Sequence, residues 1–163
     1  MTVIHGLPAH LLFVHFLVVL APLTALLEII CALWPAARRG HLVWFTGILA
    51  AATVVLTPIT TNAGGWLYDL RHNPSAVLRQ HAELGSTMIY FTVALLIVAA
   101  GLLALRRVER RSGPRHRVIN VSIAILSITV GIATMIQTYR IGDAGAQSVW
   151  GNEIAHLEQK SAK

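Results

Sequence analysis

Apolar residues run through this chain in four long stretches separated by short polar interruptions. From the N-terminus they cover roughly Pro8 to Trp34, Leu42 to Thr61, Ala82 to Leu105 and Val118 to Tyr139. Each reaches about the 20 residues that a helix needs to cross the hydrocarbon core of a bilayer. Nothing else in the 163 residues is long enough to form a second domain. The pattern predicts one all-α domain over 1–163, an integral membrane four-helix bundle, with residues 140–163 as a tail beyond the last span.

Two prolines suggest where spans begin. Pro8 suits a first helical turn, where its missing N–H would have no partner anyway. In "RHNPSAVLRQHAELG", Asn73 is a good N-cap and Pro74 fits the next position.

Composition agrees with a membrane location. The chain is 55% hydrophobic and 12% charged, whereas soluble domains carry about 25% charged residues. The first stretch differs from a signal peptide, because no Lys or Arg precedes Arg38. It is also longer than the usual core of about 7–15 residues, so it is expected to remain in the mature protein. Cys31 is the single cysteine, which excludes an intrachain disulfide or a thiolate metal cluster.

The net charge of +6 does not point to nucleic acid, because the basic residues follow a topological pattern. Arg38 and Arg39 lie between the first two spans. Arg106, Arg107, Arg110, Arg111, Arg115 and Arg117 lie in or beside "RRVERRSGPRHR", between the last two. Short loops rich in Lys and Arg stay cytoplasmic. Both termini and the middle loop are therefore expected outside, and the basic segments are expected to rest on anionic lipid headgroups.

This topology places His5, His10, His15, His72, His81 and His156 on or near the outer side, and His41 and His116 at the inner one. His15 follows Pro8 by the same interval as His81 follows Pro74, so these two imidazoles are expected at similar depth on the first and third spans. Arg79 belongs among headgroups, a placement that would instead bring His81 nearer the height of His10. His10 and His15 are five residues apart, about 140° around a helix, and cannot share one face. Gly85 lies one turn below His81 and removes a side chain where a flat ligand would need space. Thr57, Thr60, Thr61 and Asn62 of the second span, with Thr134, Gln137, Thr138 and Tyr139 of the fourth, make the outer half the more polar one. Glu28 is the exception near the inner side. An ionisable residue within a span is a functional hypothesis by default; Glu28 either reaches Arg38 and the interface, or is protonated beside Thr46 or Thr53.

"GLPAHLLFVHF" resembles the "HPLLVHFP" opening of a bacterial membrane family, domain of unknown function 2231. Glu28, the "HAELG" opening the third span and the closing "YRIGDAGAQSVWG" resemble its later landmarks. Leu11 and Leu17 stand where that opening motif has Pro. The resemblance covers residues 5 to about 151 and carries the family's polar landmarks onto His10, His15, Glu28 and His81. It implies a bacterial plasma-membrane protein of redox setting, since some members are joined to Rieske iron–sulfur or c-type cytochrome domains.

No nucleophile–base pair, phosphate loop or paired carboxylates are visible, which argues against hydrolase or transferase chemistry. Three functional classes remain. One is a b-type haem electron carrier, with His15 and His81 as axial ligands, His10 supporting them and Gly85 giving clearance. The absence of C-x-x-C-H makes any such haem non-covalent. The second is a histidine site for zinc or copper. The third is a non-catalytic accessory subunit, docking beside iron–sulfur or cytochrome c partners.

Overall fold

The computed structural model describes residues 3–4, 7–112 and 117–161. Its helices are α1 (Ala9–Leu33), α2 (Pro35–Arg39), α3 (Leu42–Asp69), α4 (Ala76–Ser112) and α5 (Arg117–Ser161). Before them, β1 (Val3–Ile4) and β2 (Leu7–Pro8) form a two-residue antiparallel pairing, Val3 opposite Pro8. Segments of α1, α3, α4 and α5 are each long and apolar enough to cross a membrane. The fold is the all-α membrane bundle expected. Its packing is cyclic: α1 and α4 each lie against both α3 and α5.

The helices outrun the hydropathy pattern. α3 continues to Asp69, and α5 continues to Ser161 through the residues expected as a tail. α4 absorbs most of the arginine-rich segment, ending at Ser112; Arg115 and His116 lie outside the described residues. Helix hydrogen bonding does not stop where apolar composition stops, so hydropathy marks the part in lipid rather than the helix ends.

Two expected starts are corrected. Pro8 belongs to β2, and α1 starts after it at Ala9. Asn73 and Pro74 precede α4, and the cap is Ser75, whose Oγ accepts the Leu78 N–H at 3.2 Å. That hydroxyl satisfies an N–H of the first turn that has no partner within the helix. Downstream, α1 ends at Leu33 because Trp34 precedes Pro35 and is extended (φ −114°, ψ 100°), as steric pressure from a following proline favours.

The seams between helices are lined by small and hydroxyl-bearing residues. On α3 the buried positions are Val43, Thr46, Ala50, Thr53, Thr57, Thr60 and Ala63, spaced by steps of three or four that keep one stripe facing inward. Large apolar side chains such as Phe16, Val19, Ile48, Val55, Ile97 and Ile125 are exposed on the outside. Lipid is as apolar as leucine, so hydrophobic burial does not drive helices together there; small residues permit close approach.

The buried pattern repeats. On α1 and α4 it matches at one constant offset: Leu17 and Met88, Ala21 and Thr92, Thr24 and Leu95, Glu28 and Ala99, Cys31 and Leu102. On α3 and α5 a second offset pairs Thr46 with Ser127, Ala50 with Gly131, Thr53 with Thr134, Thr57 with Thr138 and Ala63 with Ala144, all buried. The bundle is therefore two similar helical hairpins, α1–α3 and α4–α5, running in the same sense. This is the arrangement of parallel repeats about an axis along the membrane normal.

Candidate functional site: a histidine pair at one end of the bundle

His10 and His81 occupy equivalent positions in the two hairpins and meet across the bundle. Their ring centroids are 6.4 Å apart, with the planes inclined at 80°. Both are half-buried. The same device holds each ring. His10 Nδ1 is 2.9 Å from the Thr60 carbonyl of α3, and His81 Nδ1 is 2.9 Å from the Ile141 carbonyl of α5.

In each case the residue four positions after the carbonyl is glycine. A Cβ on Gly64 would lie 2.7 Å from His10 Cε1 and 2.8 Å from Nδ1; one on Gly145 would lie 3.0 and 3.1 Å from the corresponding His81 atoms. Helical side chains lean towards the N-terminus, so a side chain at Gly64 or Gly145 would cover the carbonyl that the imidazole uses. Glycine leaves it uncovered, and the ring takes that space.

This hydrogen bond decides the chemistry left over. A carbonyl only accepts, so Nδ1 must carry the proton, and in the neutral ring the lone pair remains on Nε2. A backbone carbonyl on the second ring nitrogen is the usual support of a metal-ligating histidine. Both imidazoles are thus prepared in the same tautomer.

His15 does not join this pair. It is exposed, with Nδ1 turned back to the Leu11 carbonyl of its own helix. The expected match of His15 with His81 is corrected to His10 with His81, for two physical reasons. The prolines used as reference points are not helix starts, and the 140° between His10 and His15 leaves only one of them facing inward. Gly85 is half-buried below His81, with nothing within 4 Å of an added Cβ. Leu17, Ala21 and Met88 form a buried cluster deeper in the bundle. Gln137 ties α5 to α4 nearby, donating to the Leu84 carbonyl at 3.1 Å and to Thr87 Oγ1 at 2.9 Å. Thr57 and Thr92 approach to 3.4 Å. Of the other histidines, His41 and His72 are exposed, and His5 is outside the described residues.

The opposite end is closed by Arg38, which is 1% exposed. It meets Glu109 at 2.5 Å, donates to the last carbonyls of α1 at Cys31 (3.0 Å) and Ala32 (3.1 Å), and reaches Asn120 of α5 at 3.4 Å. One guanidinium thereby joins three long helices and satisfies two carbonyls that a helix end leaves without partners. Arg38 and Glu109 stand at the same offset as His10 and His81, so the repeat is bridged at both ends. Arg38 is thus engaged with Glu109 and not with Glu28. Glu28 is fully buried, and neither carboxylate oxygen has a hydrogen-bond partner.

The sequence reading missed Gly64, Gly145 and the Arg38–Glu109 pair. A signal for the glycines exists: both lie in small-residue segments, "NAGG" and "GDAGA", at the ends of apolar spans. Their role depends on which carbonyl each histidine reaches, and spacing along one helix does not specify that. Glu109 was hidden among six arginines as part of a loop.

No curated protein and no solved structure matches the chain. A family model described as "Predicted membrane protein (DUF2231)" matches residues 6–157. That match takes in α1, α3 and α4, α5 except its last turn, the histidine pair and the Arg38–Glu109 bridge. The chain belongs to the DUF2231 family of membrane proteins.

Proposed function

We propose that this protein is a haem-binding electron-transfer component of the bacterial plasma membrane, in which His10 and His81 would hold the haem iron. The observation that carries the reading is the convergence of two imidazoles from facing helices, ring centroids 6.4 Å apart, each bonded through Nδ1 to a backbone carbonyl so that its lone pair lies on Nε2.

The donor set supports haem over a bare zinc or copper ion. Among the described residues no group of three or more His, Cys, Asp or Glu is placed to hold a metal ion. A structural zinc site takes four protein ligands, whereas a haem iron needs only one or two from the protein. Four-helix bundles hold cofactors between facing helices, and the space beside Gly85 favours a flat group at this end. Bound there, haem would supply one-electron transfer. The chain's own contribution is to fix both tautomers through Thr60 and Ile141 and to hold the rings at their separation.

The arginine bias supports an outward-facing histidine end, with both termini outside and the Arg38–Glu109 end at the cytoplasmic surface. An extracytoplasmic iron–sulfur or cytochrome c protein is then the natural redox partner. The test is the absorption spectrum of detergent-purified protein made in cells supplied with haem. A Soret band that sharpens and shifts on reduction is expected; His10→Ala or His81→Ala abolishes it, and His15→Ala retains it. A folded, colourless wild-type protein defeats the proposal.

A further inference from the structure

Glu28 lies 18 residues along α1 from His10, roughly 27 Å at the helical rise of 1.5 Å per residue, and takes no part in the histidine pair. Contacts on either side fix its surroundings. Thr24 Oγ1 meets Thr53 Oγ1 at 3.5 Å on one side, and Cys31 Sγ meets Thr46 Oγ1 at 3.8 Å on the other. Between those levels α3 presents Ala50, and at the repeat-related positions α4 presents Ala99 and α5 presents Gly131, all buried. An added Cβ on Gly131 would touch Ile29 Cδ1 at 2.8 Å, which puts α5 at the same level. The carboxylate is thus surrounded at its own depth by the smallest side chains, with hydroxyls a turn away on either side.

Those hydroxyls have their hydrogens engaged. Thr24 donates to Leu20 O at 2.7 Å, Thr46 to Leu42 O at 2.8 Å and Thr53 to Leu49 O at 2.7 Å. On α5, Ser127 and Thr134 each donate to the carbonyl four residues back at 2.8 Å. Such back-bonding is the ordinary state of a hydroxyl within a span. Its consequence is that the oxygens can offer Glu28 only lone pairs. No charged side chain among the described residues of α3, α4 or α5 stands at this level. Towards the arginine end come the Cys31 thiol, whose partner is Thr46, Arg38, whose partner is Glu109, and the buried Arg106, whose guanidinium lies 5.8 Å from the Trp44 ring; neither arginine forms an ion pair with Glu28.

A carboxylate without a donor or countercharge is very costly to bury, and it needs a positive charge from outside the chain. We propose that Glu28 is a reversible binding site for a monovalent hard cation, a proton or a sodium ion, held by the carboxylate with threonine oxygens as the remaining acceptors. A single carboxylate balances one positive charge, and hydroxyl and carboxylate oxygens are the ligands that hard cations prefer. A divalent ion would retain an uncompensated charge in the core.

The test is the melting temperature of the detergent-solubilised protein across neutral to alkaline pH, with and without sodium, for wild type and Glu28→Gln. A folded state that holds the cation loses stability as protons are withdrawn, so the wild-type midpoint falls with rising pH. The glutamine variant, which needs no cation, loses that dependence. Restoration of the wild-type midpoint by sodium, but not by potassium at equal ionic strength, assigns the site to both cations; no restoration assigns it to the proton alone. Should Glu28→Gln fail to fold, labelling of wild type by dicyclohexylcarbodiimide decides. The reagent adds to a protonated buried carboxyl and is retained whole as an N-acylurea, so mass mapping should find it on Glu28, with less label as pH rises or sodium is added. Equal pH and sodium responses in the two proteins, or an unlabelled Glu28 in folded wild type when the variant does not fold, overturns the proposal.

Discussion

Substituting Gly64 by alanine tests the device that holds the histidine pair. The new Cβ would stand 2.7 Å from His10 Cε1 and 2.8 Å from Nδ1. An imidazole is a rigid plate, and this one is bonded to the carbonyl one turn before the substituted residue. It has to leave that carbonyl to make room. The lost interhelical hydrogen bond costs about 0.6 kcal/mol on the average for membrane helices, and crowding a packed site costs about 1–3 kcal/mol. Alanine's better helix propensity returns about 0.8–1 kcal/mol. The single variant should therefore be destabilised by about 1–2 kcal/mol. In a His10→Ala background the ring is gone, and Gly64→Ala should be neutral or slightly stabilising. The coupling between the two sites is then about 2 kcal/mol, well above the roughly 0.3–0.5 kcal/mol within which independent sites add. Reversible unfolding of the four proteins of this double-mutant cycle, in mixed detergent with increasing dodecyl sulfate, measures it. Gly131→Ala is the control: its added Cβ meets Ile29 Cδ1 at 2.8 Å, the end of a flexible side chain that can rotate away, so it should cost less than about 1 kcal/mol. Additive effects of His10→Ala and Gly64→Ala would refute the seat proposed for the ring.

Removing one partner of the buried Arg38–Glu109 pair leaves the other charge uncompensated, and Glu109→Ala should cost about 3–5 kcal/mol in the same unfolding assay; a cost near zero would show that the pair is solvated. His15→Ala should leave stability within about 0.5 kcal/mol of wild type, since the ring is exposed and bonded only within its own helix; loss of folding would show that it packs against a neighbour. The expected topology predicts that a cysteine placed at Ser112 resists impermeant reagents in intact cells, whereas one at exposed His72 is labelled. The opposite pattern would reverse the bundle.

How much of this was legible in the chain follows from what each feature depends on. Four spans follow from local composition, because a segment of about 20 apolar residues partitions into lipid whatever its neighbours do. The all-α class comes with it, since a lipid-exposed backbone must satisfy its hydrogen bonds within the segment. His10, His15, His81 and Glu28 could likewise be singled out one residue at a time, from the cost of polar groups in apolar stretches. Pairing could not. Which imidazole meets His81 depends on the rotation of α1 about its own axis, and close packing against α3 and α5 sets that rotation. Between His10 and His15 it selects the ring with a glycine and an uncovered carbonyl opposite. Arg38 and Glu109, distant in sequence, meet only once both hairpins are packed. The twofold repeat was hidden for the same reason: it resides in which positions are buried, and lipid-facing residues, free to vary among apolar types, obscure it along the chain. Composition selects the solvent and the helices; the relative rotation and depth of those helices are tertiary quantities, and the site is made of them.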